Sequence, residues 1–313
     1  MVQINEIIYG KSLLFRRITL KFLTKNVGYK QFGYFCIMKG LWAVFNFYIN
    51  ASIHIALAVV CLLKITGIIF AIPISTYLFL FVFFSTISCY NFIKYGVEAK
   101  KYFLVVKAYH KNIQYLSLVS VLISVYCSFF LRVETLLCCF VLVVLTGIYA
   151  IPVLPNAKNF RDLGGVKIVS VALVWSGVSV IFPVLNLQEQ IPWDIHIEAL
   201  QRFLMVLVLL IPFEIRDLKY DPPSLHTLPQ KYGVAKSKII GGYGTLVFFG
   251  LTYLKDTVTT LDLLSKGVLF LILGVLMFVT KRNQTKYFAS FWVEAIPILW
   301  LGVVYSMDLL LTV

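Results

Sequence analysis

LIPFEIRDLKYDPPSLHTLPQKYG, residues 210–233, carries an apolar run straight into three carboxylates and then into a proline-marked turn. Glu214, Asp217 and Asp221 are spaced three and four apart, which places them on one face of a helix that runs through them. Three like charges on one face repel, so the arrangement asks for a cation among them. Carboxylate oxygens are hard donors that suit Mg²⁺, an ion that keeps waters and is shared between a few carboxylates and a substrate phosphate. Arg216 and Lys219 are alternative internal counter-ions, and plain solvation of a helix end is the simplest reading. Pro222 and Pro223 are expected to stop the helix directly after Asp221, and HTLPQKYG (226–233) to turn the chain back.

On both sides of this segment the composition is that of a membrane protein. Of 313 residues, 60% are apolar and 13% charged, outside the range of soluble domains. Backbone amides cannot stay unpaired in hydrocarbon, so each apolar run of about 17–25 residues reads as a spanning helix. Nine such runs are found, at 41–63, 68–90, 113–131, 135–152, 166–185, 198–213, 239–254, 262–280 and 290–312. The expected fold class is all-α: a polytopic bundle of about nine transmembrane helices over 41–313, preceded by a basic N-terminal segment over 1–40. Within that segment, 11–23 has the mixture of an interfacial amphipathic helix, and no cleavable signal is read there. The sixth and seventh runs are short and adjoin the carboxylates, so their helices are expected to extend beyond the bilayer.

The N-terminus and the loops at 91–112, 153–167, 214–238 and 281–289 hold 23 of the 28 Lys and Arg residues. The positive-inside rule then makes the N-terminus and the carboxylate segment cytoplasmic, with a bacterial inner membrane as the expected location. The formal charge of +14 is spread over alternate short loops, without the continuous stripe that nucleic acid needs; membrane lipid is the expected surrounding instead. The six cysteines show no metal-ligand spacing and read as small apolar fillers.

EIRDLKYD followed by HTLPQKYG resembles the second aspartate motif of the UbiA superfamily of intramembrane prenyltransferases, DxxDxxxD and then (R/K)TLPxxxG. Glu214, Asp217 and Asp221 fall on its three acidic positions, with Glu for the first Asp. The resemblance implies Mg²⁺ as cofactor, a polyprenyl diphosphate as donor and a lipophilic, commonly aromatic acceptor. It makes Asp217 and Asp221 catalytic and all three carboxylates metal ligands. The family's first motif, NDxxDxxxD or NxxxDxxxD, is degenerate here: Asn91 matches, but Phe92, Tyr95 and Ala99 stand at acidic positions and Glu98 is out of register. Lys94, Lys100 and Lys101 occupy the neighbourhood, and an ammonium group can neutralise phosphate oxygens directly. YAIPVLPNAKNFRDLGG, from Tyr149, resembles the family's Tyr-Pro-basic segment. Asn91, Lys94, Lys158, Arg161 and Arg216 are thus candidate diphosphate ligands, and Tyr149 a candidate for the acceptor pocket.

Asn46, Asn50 and His54, at four-residue spacing in the first run, form a polar stripe that either lines the acceptor pocket or bonds helix to helix. His226 is a diphosphate neighbour at most, and Gly241, Gly242 and Gly244 read as close helix packing. A supply of 26 Phe and 18 Tyr permits shelter of an allylic cation without pointing to it. No Ser-His-Asp set, phosphate-binding glycine loop or dinucleotide fingerprint is present. Three functions remain: a UbiA-type prenyltransferase, a catalytically altered isoprenoid-binding relative, and a transporter or channel. The last calls for buried charges near the midplane, of which the sequence suggests few.

Overall fold

The computed structural model describes residues 29–96, 108–150, 164–187, 190–221 and 223–312, and among them there is no strand. The chain divides into two units, Met1–Asn50 and Ala51–Val313. The described part of the first is one helix, α1 (Tyr29–Asn50). The second holds α2 (Ile53–Ile69), α3 (Thr76–Asn91), α4 (Ala108–Ser128), α5 (Val133–Ala150), α6 (Gly164–Ser176), α7 (Trp193–Asp217), α8 (Leu228–Gly250), α9 (Thr260–Val279) and α10 (Ile296–Thr312). π-helical turns extend α3 over Phe92–Gly96 and α6 over Gly177–Ile181, and another, Phe288–Val293, precedes α10.

The first expected span is not continuous. Its helix breaks at Ala51–Ser52, where Ser52 takes the left-handed conformation (φ 61°) and its hydroxyl donates to Asn91 Oδ1 at 2.9 Å. The Asn46–Asn50–His54 stripe is interrupted at the same point, with Asn46 and Asn50 in the first unit and His54 in the second. Farther on, Pro73 excludes a helix across 70–75, and α3 restarts with Ser75 Oγ accepting from the Leu78 amide at 3.1 Å. By length and composition five helices can cross a membrane: Thr76–Tyr95, Gly165–Leu185, Trp193–Asp217, Thr260–Val279 and Phe288–Leu311, with α1 and α2 a sixth if counted as one broken span. The chain is an integral membrane protein of all-α architecture, but the count of nine is not reproduced on these criteria. Helix covers most of the described residues in every one of the nine windows. Lys231, Lys236 and Lys238 weigh against α8, however, and the apolar part of α5, Val133–Gly147, is short.

In the second unit, α2 packs on α3 and α3 on α4. A second run of neighbours leads from α5 through α6, α7, α8 and α9 to α10, which returns to α2. Leu62, Leu63, Met205, Leu269, Leu273 and Trp300 are fully buried. Because lipid is as apolar as these side chains, close packing and interhelical hydrogen bonds hold such a bundle together more than exclusion from solvent does. Gly241 shows how close: a Cβ there would lie 2.7 Å from Ile211 Cδ1 on α7 and would strike Met277 on α9. Gly244 lies against Val208, whereas Gly242 faces open space.

Candidate functional site

The last turn of α7 carries the carboxylates. Glu214 is 2% exposed, and its Oε1 lies 3.9 Å from the Lys167 ammonium in the first turn of α6. Its other oxygen, Oε2, is buried without a hydrogen-bond partner. Asp217 is clasped by its neighbour, with Arg216 Nε and Nη2 donating to its two oxygens at 2.7 and 3.2 Å. Asp217 and Asp221 are near enough for their charges to act on Glu214. α7 ends at Asp217, earlier than the prolines implied; a turn follows in which the Asp221 amide still donates to Asp217 O at 2.9 Å. Pro212 lies inside α7, and the Gln284 amide donates to its carbonyl at 2.8 Å, tying the segment before α10 to this helix end.

Two further charges complete the region. Lys94, on the π turn after α3, and Arg216 both act on Glu294, which opens the segment into α10. That segment is pinned from another side by His54 Nε2, 2.9 Å from Phe291 O, with the two rings stacked at 4.9 Å. The ends of α3, α6, α7 and the start of α10 therefore bring Lys94, Lys167, Glu214, Arg216 and Glu294 to one end of the bundle.

HTLPQKYG is helix-start chemistry. Gln230 Oε1 accepts from the Thr227 amide at 3.0 Å, and Pro229 sits in the first turn, where its missing N–H costs nothing. Gly233 then takes φ 79°, ψ 164°, a break inside α8 that any side chain would disfavour. His226, also at positive φ (47°), is exposed.

The donor set is consistent with Mg²⁺ in one respect and incomplete in another. All candidate ligands are hard oxygens, and Glu214 Oε2 is a buried carboxyl oxygen that lacks a hydrogen-bond partner. Among the described residues, however, no three carboxylate, imidazole or thiol groups converge into a metal cage. Such a site suits an ion that takes its remaining ligands from water and a substrate phosphate.

Asn91 is otherwise engaged: besides accepting from Ser52, its Nδ2 donates to Ala51 O at 3.2 Å and Ser117 Oγ at 3.0 Å, and the side chain is 3% exposed. It ties α3 to the start of α2 and to α4, where sequence had made it a diphosphate ligand. Asn46 Nδ2 donates to Trp42 O within α1. Lys158, Arg161, Glu98, Ala99, Lys100, Lys101 and the segment 11–23 lie outside the described residues, as does the side chain of Tyr149.

No family model matches the chain, and no curated protein matches its sequence. The solved structure of a UbiA homolog from Archaeoglobus fulgidus bound to GPP and Mg²⁺ superposes on 83% of this chain and 99% of its own, with 11% identity and a TM-score of 0.53. The chain has the UbiA fold.

Within this UbiA fold the sequence left two features unread. One is the two charges Lys167 and Glu294 beside the carboxylates; Glu294 is a lone carboxylate in the apolar run FWVEAIPILW, a pattern that marks a functional or paired charge. The other is a buried ion network at the opposite end of α7. Glu198 pairs with Arg202 (2.9 Å), Lys255 (2.9 Å) and Lys266 (2.7 Å), and Asp262 with Lys255 (2.7 Å) and Lys266 (2.8 Å). Arg202 also donates to Leu62 O and Thr66 Oγ1 on α2 and lies over the Trp300 ring of α10. Buried charge is thus present toward this end of α7, a feature the sequence reading did not single out. Opposite charges four apart in apolar runs, Glu198/Arg202 and Asp262/Lys266, were the available signal. Every member is paired, as charges withdrawn from water must be.

Proposed function

We propose that this chain is a divergent UbiA-type protein that binds a prenyl diphosphate at the Glu214 end of the bundle, and that it transfers the prenyl group to a lipophilic acceptor. The observation that carries the reading is the buried, unpartnered Glu214 Oε2 beside Lys167, with Asp217 and Asp221 within electrostatic reach. Glu214, with Asp217 and Asp221 contributing charge, would hold Mg²⁺ together with water and the diphosphate, since the three carboxylates do not converge by themselves; the ion would supply neutralisation of the diphosphate charge. Lys94, Lys167 and Arg216 supply cations for the remaining phosphate oxygens, and Glu294 orients Lys94 and Arg216. In the transfer, the bond from the prenyl carbon to the diphosphate oxygen breaks, and diphosphate leaves with the electron pair. The acceptor bonds to that carbon and then loses a proton. The positive-inside rule, applied to the Lys and Arg of the loops at this bundle end, supports a cytoplasmic location for it.

A second reading, an isoprenoid-binding protein without turnover, is favoured by one observation. Asn91 is occupied in internal hydrogen bonds, and Phe92 and Tyr95 stand where the first motif has carboxylates. Labelled prenyl diphosphates of several lengths, given with Mg²⁺ and candidate aromatic acceptors, separate the two. A prenylated product supports transfer, retention without product supports binding alone, and absence of Mg²⁺-dependent retention contradicts both.

A further inference from the structure

Two neighbouring helices carry cations above an exposed apolar face. Lys236 on α8, and Lys281 and Arg282 just beyond α9, are exposed and have no hydrogen-bond or ion-pair partner among the described residues. Lys238 sets how they lie. Its ammonium donates to Phe278 O and to Thr280 O, at 2.9 Å in both cases, so this turn of α8 stands beside the end of α9. Those bonds also neutralise the negative end of α9, which would otherwise repel an anion. No Asp or Glu occurs between Asp221 and Asp256 or between Asp262 and Glu294, so neither stretch of chain brings a carboxylate to the three cations.

From Lys236, the exposed residues Ile239, Tyr243 and Leu246 continue at intervals of three and four, along one face of α8. On α9, Leu271, Val275 and Phe278 lead in the same way to Lys281, and Phe278 is 84% exposed. Lys236 to Leu246 covers about 15 Å of helix axis, the hydrocarbon depth of one leaflet. Positive charge thus stands at headgroup level over an apolar strip of acyl-chain length. The positive-inside rule accounts for basic loops, but it requires neither a shared exposed strip beneath them nor the lack of counter-ions. A zwitterionic headgroup brings an ammonium of its own, which these cations repel, whereas each Lys or Arg near the surface attracts a net-negative headgroup. We propose that the α8–α9 face binds an anionic phospholipid, with Lys236, Lys281 and Arg282 on its phosphate and an acyl chain along the two helices. The inference does not depend on the prenyl-transfer reading, because none of these residues belongs to the carboxylate end of α7.

The full chain in phosphatidylcholine nanodiscs is given phosphatidylglycerol or phosphatidylcholine bearing a diazirine on one acyl chain, and the labelled residues are mapped by mass spectrometry. Phosphatidylglycerol is expected to label the exposed faces of α8 and α9 at least about tenfold more than phosphatidylcholine does, with a preference that shrinks as salt rises. Joint substitution of Lys236→Gln, Lys281→Gln and Arg282→Gln is expected to bring the two lipids to equal labelling there. Lys111→Gln, at an exposed lysine on α4, is expected to leave the preference intact. Lys281→Gln with Arg282→Gln leaves α8 unaltered and repeats the measurement should the fuller variant fail to fold. Equal labelling by the two lipids in wild type, labelling spread evenly around the bundle, or a preference lost equally in Lys111→Gln overturns the proposal. Competition by glycerol phosphate as effective as that by the phospholipid overturns it in favour of a free-phosphate site. A dimer cross-linked through α8 and α9, with no lipid label on that face, overturns it in favour of a second copy of the chain.

Discussion

Lys266 Nζ on α9 donates to Glu198 Oε2 on α7 at 2.7 Å, and neither side chain is more than 1% exposed. Removing one member of such a pair leaves an uncompensated buried charge, which costs about 3–5 kcal/mol. Glu198→Ala is therefore expected to lower the thermal unfolding temperature of the purified protein by several degrees. GPP binding should survive at permissive temperature, because Glu198 lies about 24 Å along α7 from Glu214. An unfolding temperature equal to wild type would show that the network adds nothing to stability.

Lys255 gives the same network a pH signature. Burial alone would drive its ammonium toward neutrality, but Glu198 and Asp262 outweigh burial and hold its pKa above the ordinary value. A group raised on folding contributes stability that is complete below its unfolded pKa, about 10.4, and is lost as pH rises through the folded value. Unfolding temperature should thus decline steeply only above about pH 10. In Lys255→Met that alkaline decline should be shallower, and an unchanged slope would contradict the assignment.

Asn91→Ala separates a structural asparagine from a ligand. Loss of its three hydrogen bonds should destabilise by about 1–3 kcal/mol, read as a lower unfolding temperature, with GPP affinity unchanged within error. Weaker GPP binding at full stability would restore Asn91 to the diphosphate site.

Gly233→Ala tests the break in α8. A Cβ there meets no atom within 4 Å, so its effect comes from the positive φ alone, about 1–3 kcal/mol of strain. A lower unfolding temperature is expected, and a variant as stable as wild type would mean that α8 straightens freely at this point.

The parts of this structure that could be read from sequence are those built by neighbours in the chain. The carboxylate spacing marks the end of α7, whereas Thr227, Pro229 and Gln230, read in the sequence only as part of a turn, cap the start of α8. The break at Ser52 escaped notice because its left-handed backbone is supported by Asn91, 39 residues away. The ion network escaped for the same reason: Lys255 comes from a loop and Lys266 from another helix, and only packing brings them to Glu198. Asn91 matched a motif position, and its hydrogen bonds to Ala51, Ser52 and Ser117, set by packing between α2, α3 and α4, could not be read from that motif.

The central claim is that Glu214 presents a buried, otherwise unpartnered carboxyl oxygen to a metal-bound diphosphate. Binding of GPP to the detergent-solubilised full chain, titrated with and without Mg²⁺ by calorimetry, tests it in wild type and in Glu214→Gln, which keeps the shape and removes the charge. Mg²⁺-dependent binding in wild type that weakens at least about tenfold in Glu214→Gln, with unfolding temperature maintained, is the expected result. Equal affinity in the two proteins, or binding indifferent to Mg²⁺, would contradict it.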